Sequence, residues 1–71
     1  MKDTFTVPTG LRFEGRETYA NRAVLFFTEL DSHAPSYGTT FTVFERDAVR
    51  TSFSIVEKRA AIDAQFRKEA A

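Results

Sequence analysis

Polar and apolar residues alternate through Thr4-Phe5-Thr6-Val7, where β-branched and aromatic side chains dominate. The pattern predicts a short half-buried strand with Phe5 and Val7 inward. Pro8-Thr9-Gly10 ends it, since proline has no amide to donate and glycine accepts positive φ. Leu11-Arg12-Phe13-Glu14 is then expected to fold back as a second strand, with Leu11 and Phe13 sharing its inner face. Residues 15–21 carry charge without a clear period and read as a connection or a ragged strand edge. Residues 22–30 form the most apolar stretch, and consecutive Val24, Leu25, Phe26 and Phe27 predict a central strand buried on both faces. A short helix from Thr18 would also group Ala20, Ala23, Val24 and Phe27, but β-branched and aromatic content favours the strand. Residues 31–38 are dense in turn formers. Thr39-Thr40-Phe41-Thr42-Val43-Phe44 then alternates again, predicting a strand antiparallel to its predecessor.

The last third admits two readings. In one, residues 45–47 turn, residues 48–53 add a strand, and a helix begins at Ser54. In the other, one helix runs from Glu45, with Val49, Phe53, Val56 and Ala60 on a single stripe. Ser54-Ile55-Val56-Glu57 has the spacing of a capping box, as does Thr42-Val43-Phe44-Glu45. The shorter helix is preferred, because Arg50-Thr51-Ser52 is a weak helix-forming run and Ile55, Ile62 and Phe66 make a second stripe about 120° from the first. Residues 54–70 contain no glycine or proline, and Arg59, Asp63 and Arg67 have the spacing of i,i+4 ion pairs. The expected architecture is α+β: a small meander-like antiparallel sheet of four to five strands packed against one C-terminal helix.

Seventy-one residues supply one core, so residues 1–71 read as a single domain. Ten aromatic residues in a chain that is 42% hydrophobic argue for a folded core. There is no cysteine to staple it and no His/Cys cluster at metal-ligand spacing, so packing must hold the fold and neither metal nor cofactor is expected. A core this small makes a protein partner or a homodimer a reasonable expectation. The start of the chain has no apolar h-region and the longest apolar run is short, which fits neither a signal peptide nor a membrane span and points to a cytoplasmic protein.

Catalytic chemistry finds little footing. His33 is the single imidazole, with Asp31 two residues away, but both sit in a turn-rich loop with no nucleophile motif beside them. The carboxylates are scattered, Glu45 and Asp47 reading as a solvated turn. Gly10, Gly15 and Gly38 are too far apart to cradle a phosphate. No catalytic residue is expected.

Binding chemistry has more to offer. Ten cations balance ten anions, so no uniform field draws in nucleic acid or membrane, yet seven of the cations are arginine, the side chain suited to planar contacts. Arg12, Arg16 and Arg22 interleave with Tyr19, a set that could stack bases and hold phosphates, although Glu14 and Glu17 offset its charge. Eight phenylalanines exceed what one helix can cover, and adjacent Phe26 and Phe27 must point to opposite faces of a strand. The leading expectation is a non-enzymatic protein-binding module of inhibitor or adaptor type. It would act through an exposed sheet face or edge, with Tyr19, Arg22, Phe27 and Tyr37 as contact residues. A nucleic-acid-binding protein using Arg12, Arg16 and Arg22 is the alternative. In size and style, though not in motif, the chain resembles small accessory proteins of phages and mobile elements.

Overall fold

A computed structural model describes residues 4–70; Met1 to Asp3, read above for targeting signals, lie outside them. Three strands, β1 (Leu11–Tyr19), β2 (Arg22–Glu29) and β3 (Thr40–Phe44), form one antiparallel meander in the order β1-β2-β3. Two helices follow, α1 (Glu45–Arg50) and α2 (Phe53–Ala70). Among the described residues the sheet has three strands, not four or five. Neither the N-terminal segment nor residues 48–53 adds one.

At the N-terminus the reason is a contact far along the chain. Residues 4–8 take no regular structure. The Thr6 N–H donates to Ser52 Oγ at 2.7 Å, a side-chain acceptor that displaces any ladder. The segment instead lays Phe5 edge-on against Phe13 and Phe27, with ring centroids 5.4 and 6.0 Å apart.

The second half combines the two sequence readings. A helix does start at Glu45, but it breaks at Thr51, which is extended (φ −156°, ψ 123°). Thr51 Oγ1 accepts the Phe53 N–H at 3.2 Å, opening α2 one residue before the expected cap. Ser54 therefore sits inside the first turn and its hydroxyl is buried without a partner, so its capping box is not used. The box ending at Glu45 is not used either: Phe44 is the N-cap of α1 and no side chain caps it. The break lets Ala48 and Ile55 both face the sheet, while Phe53 and Val56 are left outside. A straight helix would have had to bury both stripes.

Leu11, Leu25, Phe27, Phe41 and Val43 from the sheet's inner face meet Ala48 and Ile55 from the helices, with Phe5 and Ile62 closing the rim. Phe27 is the hub, its ring 5.6 Å from that of Phe13 and 5.9 Å from that of Phe41. The accessible surface is 5110 Å², against about 4500 Å² expected of a compact 8.1 kDa monomer, and the molecule measures 44 × 25 × 18 Å. The excess reflects helices on one sheet face only, and a distal α2, residues 64–69, that is exposed throughout.

At the loop end, Glu29 finishes β2 fully buried and takes a two-pronged ion pair from Arg59 of α2 (Nε to Oε1 2.7 Å, Nη2 to Oε2 2.6 Å). Arg59 Nη1 also donates to the Thr9 carbonyl at 2.9 Å. Gly10 passes so close beneath this guanidinium that a Cβ there would lie 2.6 Å from Nη2, and its φ of +88° suits glycine alone. The hydrogen bond to Glu29 raises the Arg59 pKa above its ordinary value. Arg59 is thus committed to Glu29 rather than to the helical neighbour Asp63, which accepts from Ser36 Oγ instead.

Candidate functional site

The sheet's second face carries no helix. Register places Arg12 and Tyr19 of β1, Arg22, Val24, Phe26 and Thr28 of β2, and Thr40, Thr42 and Phe44 of β3 on it. A bulge at Glu14, between Phe13 and Gly15, shapes this surface. Simple alternation from Leu11 and Phe13 would turn Glu17 and Tyr19 inward. The extra residue inverts the phase, so Tyr19 faces out and Arg16 lies opposite buried Leu25 on the helical side.

Tyr19, Val24, Phe26 and Phe44 cluster at the hairpin end of the face and line a recess of about 570 Å³ that continues round β3 to Lys58. Tyr19 and Phe44 are about half exposed; Val24 and Phe26 are partly covered by them. Arg22 sits over the Phe44 ring with Cζ 5.5 Å from its centroid, within the range of a cation–π contact. Tyr19 donates its hydroxyl to Glu17 Oε1 at 3.0 Å, and this bond to a carboxylate raises the phenol's pKa. The other end is polar: Thr28 and Thr40 share a hydroxyl hydrogen bond at 3.0 Å, and Glu14 is held below the usual carboxylate range by Thr28 and by the Arg12 guanidinium at 2.8 Å.

The residues singled out from sequence are distributed unevenly over this geometry. Tyr19 and Arg22 face each other across the β1–β2 turn and belong to the cluster. Phe27 does not: it is fully buried in the core, and the outward member of the pair is Phe26. Tyr37 is exposed in the β2–β3 loop, beyond the Thr28–Thr40 row and so at the opposite end of the sheet. The arginine trio is also divided. Arg12 is paired with Glu14, while Arg16 on the helical side donates two bonds to Glu45 (Nε to Oε2 2.7 Å, Nη2 to Oε1 3.1 Å). That pair lowers the Glu45 pKa and raises that of Arg16, chiefly through the hydrogen bonds themselves.

Sequence reasoning missed three residues. Phe44 was readable only as the end of a strand, yet the Val24–Phe44 pairing brings it into the apolar patch. Arg46 and Arg50 of α1 join Arg22 in lining a groove of about 550 Å³ beside the turn, a cluster invisible until α1 is known to fold under Phe44. His33 gives its backbone N–H to Asp31 Oδ1 at 2.9 Å, a turn contact of the loop. No group of three or more His, Cys, Asp or Glu side chains among the described residues has the arrangement of a metal site, and none of their helices is long and apolar enough to cross a membrane. Comparison with protein-family models, with curated proteins and with solved structures finds no match.

Proposed function

We propose that the chain is a non-enzymatic protein-binding module that engages its partner through the uncovered sheet face, with Tyr19, Arg22, Val24, Phe26 and Phe44 as the contact set. One observation carries the reading: an aromatic cluster with an arginine over it stands on the face that the helices leave open. Tyrosine and arginine are the side chains most often found at the energetic centre of protein interfaces, and contiguous apolar surface on a small domain marks such a contact. The test is site-specific photo-crosslinking from Tyr19, with Gln65 on the distal α2 as the control position. A partner adduct at Tyr19 that is absent at Gln65 and lost in a folded Phe26→Asp variant supports the reading. Equal labelling from both positions, or an adduct indifferent to Phe26→Asp, refutes it.

A second reading has its own observation in the Arg22, Arg46 and Arg50 groove, whose lining carboxylate, Glu45, is already engaged by Arg16, while Asp47 beside it lies 4.0 Å from Arg46 Nε. Three phosphate contacts there would give a salt slope of roughly −2 to −3 on duplex DNA. Arg46→Ala and Arg50→Ala would each reduce that slope by about one. A mobility-shift titration showing no binding at low salt removes it.

A further inference from the structure

The sheet has two edges of opposite character. β1 is defended by Arg12, Glu14, Arg16 and Glu17 and by its bulge, devices that discourage another strand from pairing there. β3 has none of them. Its Thr-Phe-Thr-Val-Phe sequence contains no charge, proline or glycine, and its pairing with β2 runs without a register shift. Among the described residues, no backbone hydrogen bond beyond the strand ladder is made by residues 40–43. The recess lined by Thr42, Val43 and Phe44 of the strand and by Asp47 and Lys58 of the helices leaves room alongside it.

We propose that β3 is the docking edge for a second copy of this chain, the two β3 strands pairing antiparallel about Thr42 to merge both sheets into one. Backbone donors and acceptors along an open edge select an extended strand, and three features make that strand a copy of β3. First, two uncharged strands meet without like-charge repulsion. Second, centring on Thr42 is the register that pairs the whole of β3 without drawing in α1. It sets Phe41 opposite Val43 of the second copy on the inner face and Thr42 opposite its equivalent on the outer face, where threonine pairs are favourable. Third, Asp47 and Lys58 flank the strand with opposite signs, so the second copy meets no net charge of its own kind.

Pairing extends the reading of the open face: the aromatic clusters of both copies come to lie on one continuous platform. A five-residue edge is about 17 Å long, a small contact by the standard of stable interfaces, so the dimer is expected to be weak, with a dissociation constant in the micromolar range.

Sedimentation equilibrium from about 10 to about 500 µM tests the pairing, a range that brackets a micromolar constant. The wild-type chain is expected to shift from monomer to dimer across it. Thr42 is exposed, so Thr42→Lys and Thr42→Glu leave the protomer folded; each alone places like charges opposite one another and weakens dimerisation roughly five- to tenfold. Mixing the two variants restores it as a heterodimer. A wild-type chain that stays monomeric throughout, or a mixture that associates no better than either variant alone, overturns the proposal. A dimer abolished by Phe26→Asp but indifferent to Thr42→Lys also overturns it, by placing the contact on the open face. The crosslinking result from Tyr19 stands apart from all of these, so edge and face fail separately.

Discussion

Glu29 and Arg59, 30 residues apart in the chain, form a two-pronged ion pair whose carboxylate has no exposure to solvent. The pair ties the end of β2 to the middle of α2, and through Thr9 it also fastens the turn that leads into β1. Removing one partner of a buried pair leaves an uncompensated charge and costs about 3–5 kcal/mol. A core this small rarely provides more than about 3–5 kcal/mol in all. Arg59→Ala is therefore expected to be unfolded at room temperature by circular dichroism, whereas the double variant Glu29→Met/Arg59→Met, which removes both charges, regains a cooperative melt.

Ser54 supplies a prediction whose sign separates two readings of the same motif. Were it a helix cap, Ser54→Ala would cost about 1 kcal/mol. Its hydroxyl is instead buried and unpartnered inside the first turn of α2, and alanine is the better helix former. Ser54→Ala is expected to stabilise the protein by about 1 kcal/mol in urea denaturation.

Ala20 and Asn21 make the β1–β2 turn with φ of 50° and 66°, the paired positive values of the two-residue hairpin turn that matches strand twist. Asparagine and glycine accept this conformation readily, but alanine pays about 1–2 kcal/mol for its Cβ. Ala20→Asn should recover about 1 kcal/mol, raising Tm by roughly 5 °C. Because the turn holds Tyr19 opposite Arg22, the same variant should leave crosslinking from Tyr19 unchanged or stronger.

The Arg16–Glu45 pair gives a pH dependence. Glu45 has a folded pKa below its unfolded value, so between the two values the unfolded chain binds more protons and stability rises with pH. The contribution is complete above the ordinary glutamate pKa of about 4.3 and is lost as pH falls through the folded value. Urea midpoints measured from neutral pH to below pH 4 (about the glutamate pKa) should fall more steeply in the wild type than in Glu45→Gln. Parallel curves for the two proteins would show that the pair contributes nothing.

Sequence pattern captured what periodicity encodes. The apolar run of β2, the alternation of β3, the loop before it and the helical C-terminus are all where spacing put them; in the two strands the alternate side chains that fit the backbone also face the core. What escaped depends on contacts between distant residues. Phe5 and Val7 alternate as strand residues do, but Thr6 binds Ser52 and the segment crosses the core instead of joining the sheet. The bulge at Glu14 has no strong local signature and yet decides which half of β1 faces the open surface. Of the contact residues expected, Tyr19 and Arg22 share a surface. Phe27 is buried and Phe26 faces outward, a choice hidden by a run apolar on both faces, which does not reveal the side the helices will take; Tyr37 could not be placed before the register of β2 and β3 was known.

Strand order that follows chain order also shapes how the molecule assembles. β1 meets β2 across the tight Ala20-Asn21 turn and β3 follows across the longer loop of residues 30–39, so the sheet can grow from the β1–β2 hairpin at modest entropic cost. Refolding should be dominated by a fast phase on about the millisecond scale, with closure of the Glu29–Arg59 clasp as its late, long-range event. In stopped-flow chevrons, Ala20→Asn should then chiefly speed folding, while the double methionine variant should chiefly alter the unfolding limb.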